Sequence, residues 1–165
     1  MDSFSTVRDR GLLDHVQPYS SRFPFEFVDT SGENPAPERA ARLKMATDVL
    51  SEALKETGRY EPVDLGPFHT EIEAMAPRYL CGDCFLDVAR KSGSAFAVVS
   101  VVHKVSTLIS SMDIAIFNVS TGVFLADLSG QIRGDTDEAY RHGVKFLVRN
   151  RLPDTVPSGG GDQSK

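Results

Sequence analysis

The sequence contains no run of eighteen apolar residues, the length a membrane-spanning helix needs. It has no basic excess. Its net charge is -5, whereas nucleic-acid binders usually carry a strong basic footprint, so nucleic acid is not expected among its partners. Residues 1–21 hold scattered apolar positions among Arg8, Asp9, Arg10 and Asp14, without the continuous apolar core of a signal peptide. Taken literally, that stretch reads as cytoplasmic. No glycine-rich phosphate loop follows the first strand-like segment, and no serine sits in a G-x-S-x-G elbow. There are two cysteines, too few for a four-cysteine zinc site. His15, His69, His103 and His142 are scattered without metal-ligand spacing. No cofactor and no metal is therefore expected.

What is present is the composition of one globular domain: 165 residues, 41% hydrophobic and 25% charged. Residues 1–21 read as an irregular arm, 22–152 as a single α/β domain, and the glycine-rich stretch 153–165 as a disordered tail.

Within the domain, Phe23, Phe25 and Phe27 alternate as in a strand with one buried face. Pro24 belongs at a strand start or an open edge. Pro37 and Glu38 open a helix whose face is Leu43, Ala46, Thr47, Leu50, Ala53 and Leu54, stopped by Gly58. Tyr60–Leu65 reads as a short strand, giving a β-α-β unit with parallel pairing. A short helix is expected near Glu71–Met75, and another over Asp83–Ser92. Phe96–Val105, Leu108–Val119 and Val123–Arg133 predict an antiparallel meander, with Phe124, Ala126, Leu128 and Ile132 inward. Gly122 supplies the positive φ of the second hairpin turn. Asp135 and Glu138 are spaced as a capping box opening a last helix, with Ala139, Tyr140, Gly143, Val144 and Leu147 buried. The expected fold is α/β (α+β mixed): a mixed five-stranded sheet with helices covering it.

The sharpest chemical signal is Cys81-Gly-Asp-Cys84 at a helix start. A helix N-terminus lowers a thiol pKa, and this spacing lets one thiolate attack a disulfide while the other resolves it. Thiol oxidoreductases, however, place the motif at the end of the first strand of the β-α-β unit, and here it follows that unit. The pair reads more readily as a structural disulfide in an exported protein, or as two inert thiols. A metal site of Cys81, Cys84 and His69 is a further alternative.

Asp29, Thr30, Ser31, Glu33 and Asp64 follow the first two strands, where open α/β sheets bind ligands. Side-chain turns in soluble loops explain them as well. Ser106, Thr107, Ser110, Ser111 and Asp113 suggest a solvent- or partner-facing strand surface. Arg133-Gly-Asp135 matches an adhesion tripeptide, a signal of little information. Arg133, Arg141, His142, Lys145, Arg149 and Arg151 suit an acidic partner, or complement the helix dipole.

The segments 23–31, 58–65, 81–84, 132–138 and 143–152 together resemble a bacterial domain-of-unknown-function family of small secreted or periplasmic proteobacterial proteins. The order of elements and the Asn118–Gly122 turn are similar to the N-terminal domain of TolB and to the curli-secretion and penicillin-binding-protein-activator lipoprotein domains. That resemblance implies a non-enzymatic binding or assembly module of the cell envelope. Its location would be periplasmic and its partner another envelope protein. The alternatives are a thiol-disulfide protein acting through Cys81 and Cys84, and a small-molecule or metal binder using the loops after the first two strands. Oligomeric state stays open.

Overall fold

The computed structural model describes residues 19–152. The expected arm up to Pro18 and the tail 153–165 lie outside the described residues. The chain runs β1 (Tyr19–Arg22), β2 (Glu26–Asp29), α1 (Arg39–Glu56), β3 (Glu61–Pro62), a 3-10 turn (Gly66–Phe68) and α2 (His69–Ala74). A second 3-10 turn (Arg78–Leu80), α3 (Phe85–Lys91), β4 (Phe96–Lys104), β5 (Ile109–Asn118), β6 (Phe124–Arg133) and α4 (Asp137–Arg151) follow. The sheet order is β3-β1-β4-β5-β6, with β2 also paired to β4. Pairing of β1 and β2 with β4, and of β1 with β3, is parallel; β4-β5-β6 is the expected antiparallel meander.

The sheet has six strands rather than five because the first expected strand is two. Arg22 pairs with Val98 and Glu26 with Val101, so four steps on one side match three on the other. The extra residue falls at Phe23-Pro24-Phe25, where proline lacks an N–H for the ladder. The Phe25 N–H donates instead to Thr47 Oγ1 of α1, at 3.0 Å. The insertion also turns Phe23 and Phe25 to opposite faces, so the aromatic alternation does not share one core. Phe25 packs with α1 and α4, and Phe23 with α2 and α3. The strand start likewise moves forward: Tyr19–Arg22, placed partly in the arm by the sequence, is a strand between β3 and β4.

The larger core lies between the sheet and the paired helices α1 and α4, around Leu50, Leu54, Ile114, Leu128 and Leu147. The smaller lies on the opposite face, around Phe23, Phe85, Leu86 and Val88. A second insertion corrects another expectation. Ile116 pairs with Ala126 but Phe117 with Phe124, leaving Leu125 as a bulge. Phe124 is therefore not inward in the larger core. It is half-exposed on the other face and stacks edge-on against Phe117, centroids 5.5 Å apart. The second hairpin turn is as expected, with Gly122 at φ +74°.

The break at Pro24 also orders the segment before the cysteines. Glu26 is buried, and its carboxylate accepts the N–H groups of Arg78 at 2.7 Å and Tyr79 at 3.0 Å. The Arg78 guanidinium donates to the carbonyl of Pro24 at 2.8 Å. Burial holds that guanidinium below its ordinary pKa, and the charge of Glu26 opposes the shift.

Removing one member of such a pair strands the other in the core. Glu26→Ala is expected to cost ~3–5 kcal/mol in denaturant unfolding, and the double change Glu26→Leu/Arg78→Met to recover only part of it, since the N–H groups of Arg78 and Tyr79 still lack their acceptor. Gly143 of α4 lies against β6, where an added Cβ would meet Ile132 Cγ2 at 2.6 Å. Gly143→Ala is therefore expected to destabilise by ~1–3 kcal/mol, overriding the ~1 kcal/mol helix preference for alanine, when thermal melts are compared.

Candidate functional site

The structure gathers Asp29, Thr30 and Ser31 at the end of β2, beside the end of β4 and the starts of α1 and α4. Asp29 Oδ1 accepts the Ser31 N–H at 2.9 Å, an Asx turn, and Oδ2 accepts from Arg39 at 2.8 Å. The Arg39 guanidinium stacks 3.9 Å above the Phe27 ring. Thr30 bonds His103 Nε2 at 2.8 Å, and its N–H donates to the Lys104 carbonyl. These hydrogen bonds, from Ser31 above all, lower the Asp29 pKa.

Behind this turn lies Lys104, 5% exposed, with Nζ 2.7 Å from Glu33 and 3.7 Å from Asp135. Thr107 donates to the same Glu33 carboxylate. The Lys104 bond chiefly lowers the Glu33 pKa, and the Glu33 bond chiefly raises that of Lys104. Asp135 also accepts from Arg42 Nη1 at 3.0 Å and from the Tyr140 hydroxyl at 3.1 Å. Burial, with the Asp135 charge, raises the Tyr140 pKa. Arg42 Nε reaches Asp137 at 2.9 Å. Asp135 is thus not the helix cap that its spacing to Glu138 predicts. Thr136 takes that position, accepting the Ala139 N–H at 3.1 Å, because Arg42, Lys104 and Tyr140 hold the Asp135 carboxylate behind it.

Each carboxylate here, Asp29, Glu33, Asp135 and Asp137, has a cation. Chemically this is a closed ion network that fastens four elements. Asp64 takes no part: it is exposed and accepts the Gly66 N–H at 2.8 Å.

The Cys81 and Cys84 sulfurs lie at disulfide distance, with Cα atoms 5.6 Å apart. Cys84 occupies the N-cap position of α3, one residue before the helix start, and both side chains are half-buried. His69 pairs instead with Glu73, 3.2 Å away on α2. Among the described residues no group of three or more His, Cys, Asp or Glu side chains is arranged to hold a metal. Ser111 and Asp113 lie on the more open face of β5, where Asp113 accepts from Ser129 at 2.6 Å, whereas Ser110 is buried.

Sequence reasoning missed a groove of about 500 Å³ along the outside of α1 and α4. Its floor is Val49 and Ala53 of α1 with Val148 and Leu152 of the α4 end. The α4 wall carries Arg141, Lys145 and Arg149, and the α1 wall Glu52 and Glu56, with Arg59 just beyond the end of α1. The spacing of the three cations, four residues apart on one helix face, was a legible signal. The apolar floor was not, because it exists only once α1 and α4 pack together. Among the described residues the α4 cations and the α1 acids do not pair across the groove.

Comparison with known proteins gives a family and a fold. The DUF3280 family model, described as "Protein of unknown function (DUF2380)", matches residues 20–152. A search of the curated proteins gave no match. The fold is similar to the LpoB C-terminal domain from Salmonella enterica, at TM-score 0.52 and 17% identity, covering 72% of this chain and 86% of that one. It is similar to lipoprotein GNA1162 from Neisseria meningitidis, at TM-score 0.51 and 13% identity, covering 82% of this chain and 99% of that one. TolB from Acinetobacter baumannii is a weaker likeness, at TM-score 0.46 and 10% identity, covering 81% of this chain and 28% of that one. Among the described residues no helix is long and apolar enough to cross a membrane.

Stability should follow the two depressed carboxylates. Their folded pKa values lie below the ordinary 3.8 of Asp29 and 4.5 of Glu33. Their contribution is then complete above those ordinary values and lost as the pH falls through the lower folded ones. Denaturant midpoints measured from pH ~6 to ~2 should fall at the acid end, and Asp29→Asn/Glu33→Gln should flatten that fall.

Proposed function

This chain belongs to the DUF3280 family of proteins of unknown function, and we propose that it is a non-enzymatic protein-binding module of the bacterial cell envelope. The groove between α1 and α4 is the observation that carries the reading. An apolar floor between charged walls that form no ion pair across it among the described residues is a surface suited to contact, whereas the charges at the strand ends satisfy one another. Few residues are then left for acid-base or nucleophilic work, since the conspicuous carboxylates already hold cations.

The envelope location is supported by the likeness in fold to a lipoprotein from Neisseria meningitidis and by the cysteines. Cys81 and Cys84 at disulfide distance suit an oxidising compartment, where disulfides persist. The pair joins α3 to the turn that Glu26 and Arg78 hold, so a bond there would secure the smaller core.

A photo-crosslinking amino acid tests the reading in the bacterium that encodes the protein. Placed at Lys145 in the groove, it should give a discrete adduct in the envelope fraction. Placed at Asp87, exposed on α3 across the sheet, it should not. No adduct from position 145, or the same adducts from both positions, would overturn the proposal.

A further inference from the structure

The groove also carries information about what fills it. Arg141, Lys145 and Arg149 are one helical turn apart, so they rise along α4 at intervals of about 6 Å. All three are exposed, and none has an ion-pair partner among the described residues. Glu52 and Glu56 repeat the same interval on the opposite wall, with reversed sign, and Arg59 lines the groove just beyond the end of α1. Between the two rows lies the apolar floor.

A ligand with a single anionic head, such as an acidic lipid, would satisfy the cations and leave the α1 acids against an apolar chain. A polyanion would meet Glu52 and Glu56 with like charge. An amphipathic helix satisfies all three surfaces. Its apolar stripe meets the floor, acids at i, i+4 and i+8 on one flank meet α4, and bases on the other flank meet α1. We infer that the groove docks an amphipathic helix of a partner protein, acidic along the flank that faces α4 and basic along the flank that faces α1. This rests on the protein-binding reading above and adds to it the chemistry and orientation of the partner segment.

The charge pattern is the falsifiable part, because charge complementarity chooses partners and register more than it adds raw affinity. The probe is a synthetic amphipathic helix with a leucine stripe, glutamates on one flank and lysines on the other. A second peptide carries lysines on both flanks, because a helix with its flanks merely exchanged could satisfy the same walls by running the other way along the groove. Anisotropy titrations against the whole chain should show the first peptide binding at least tenfold more tightly than the second. Lys145→Glu/Arg149→Glu should reverse that preference, with circular dichroism confirming that the helices remain. Equal binding of both peptides, or a preference unmoved by the double change, would overturn the proposal. So would binding of vesicles of phosphatidylcholine and phosphatidylglycerol through Lys145 with neither peptide bound. If crosslinks from position 145 appear but no peptide binds, the helix proposal fails and the protein-binding reading stands. If neither appears, both fail.

Discussion

The extra residue between Arg22 and Glu26 shapes much of what surrounds it. Because the parallel partner β4 runs on without interruption, the insertion cannot be shared, and the chain buckles at Pro24. The buckle sends neighbouring phenylalanines to opposite sides of the sheet and thereby seeds two cores instead of one. It leaves the Pro24 carbonyl outside the ladder, where the Arg78 guanidinium takes it, and it positions the Glu26 carboxylate to receive the turn before the cysteines. The half of the molecule around Cys81 and Cys84 is thus arranged by an irregularity in the strand beneath it.

The sequence was informative wherever structure is periodic and local. The valine-rich run of β4, the alternation in β5, the glycine at the second hairpin and the helical stripe of α1 each specify an element through neighbouring residues alone. The misreadings share a physical cause. Phe23 and Phe124 obey a period of two in the sequence, and in both places one inserted residue shifts the phase. Asp135 and Thr136 both have side chains fit to cap α4, and the choice between them is made by Arg42, 93 residues away in the chain. Among the candidate site residues, Asp29, Thr30 and Ser31 come together because they are consecutive. Asp64 stays apart because the strand before it pairs with β1 alone. The groove was half legible: its cations lie on one helix, but its floor needs two.

The molecule handles charge in two contrasting ways. At the ends of β2 and β4, opposite charges meet at hydrogen-bond distance, and the penalty for burying Lys104 is offset by two acids. Between α1 and α4 the two signs face each other across an apolar strip and, among the described residues, form no ion pair with one another. The first arrangement suits a joint and the second a surface awaiting a complement. The same physics of desolvation and attraction serves both, and the separation of the rows decides which results.

The strand-end network has a temporal consequence. It draws on Glu33, Arg42, Lys104 and Asp135, spread over most of the described chain, and its carboxylates at 135 and 137 are synthesised after its other members. Until α4 emerges, Arg42 lacks both its acids and Lys104 lacks one of its two. Contacts of such long reach are made late, after the entropy of closing large loops has been met. This domain therefore has little reason to settle into its native arrangement before α4 is available.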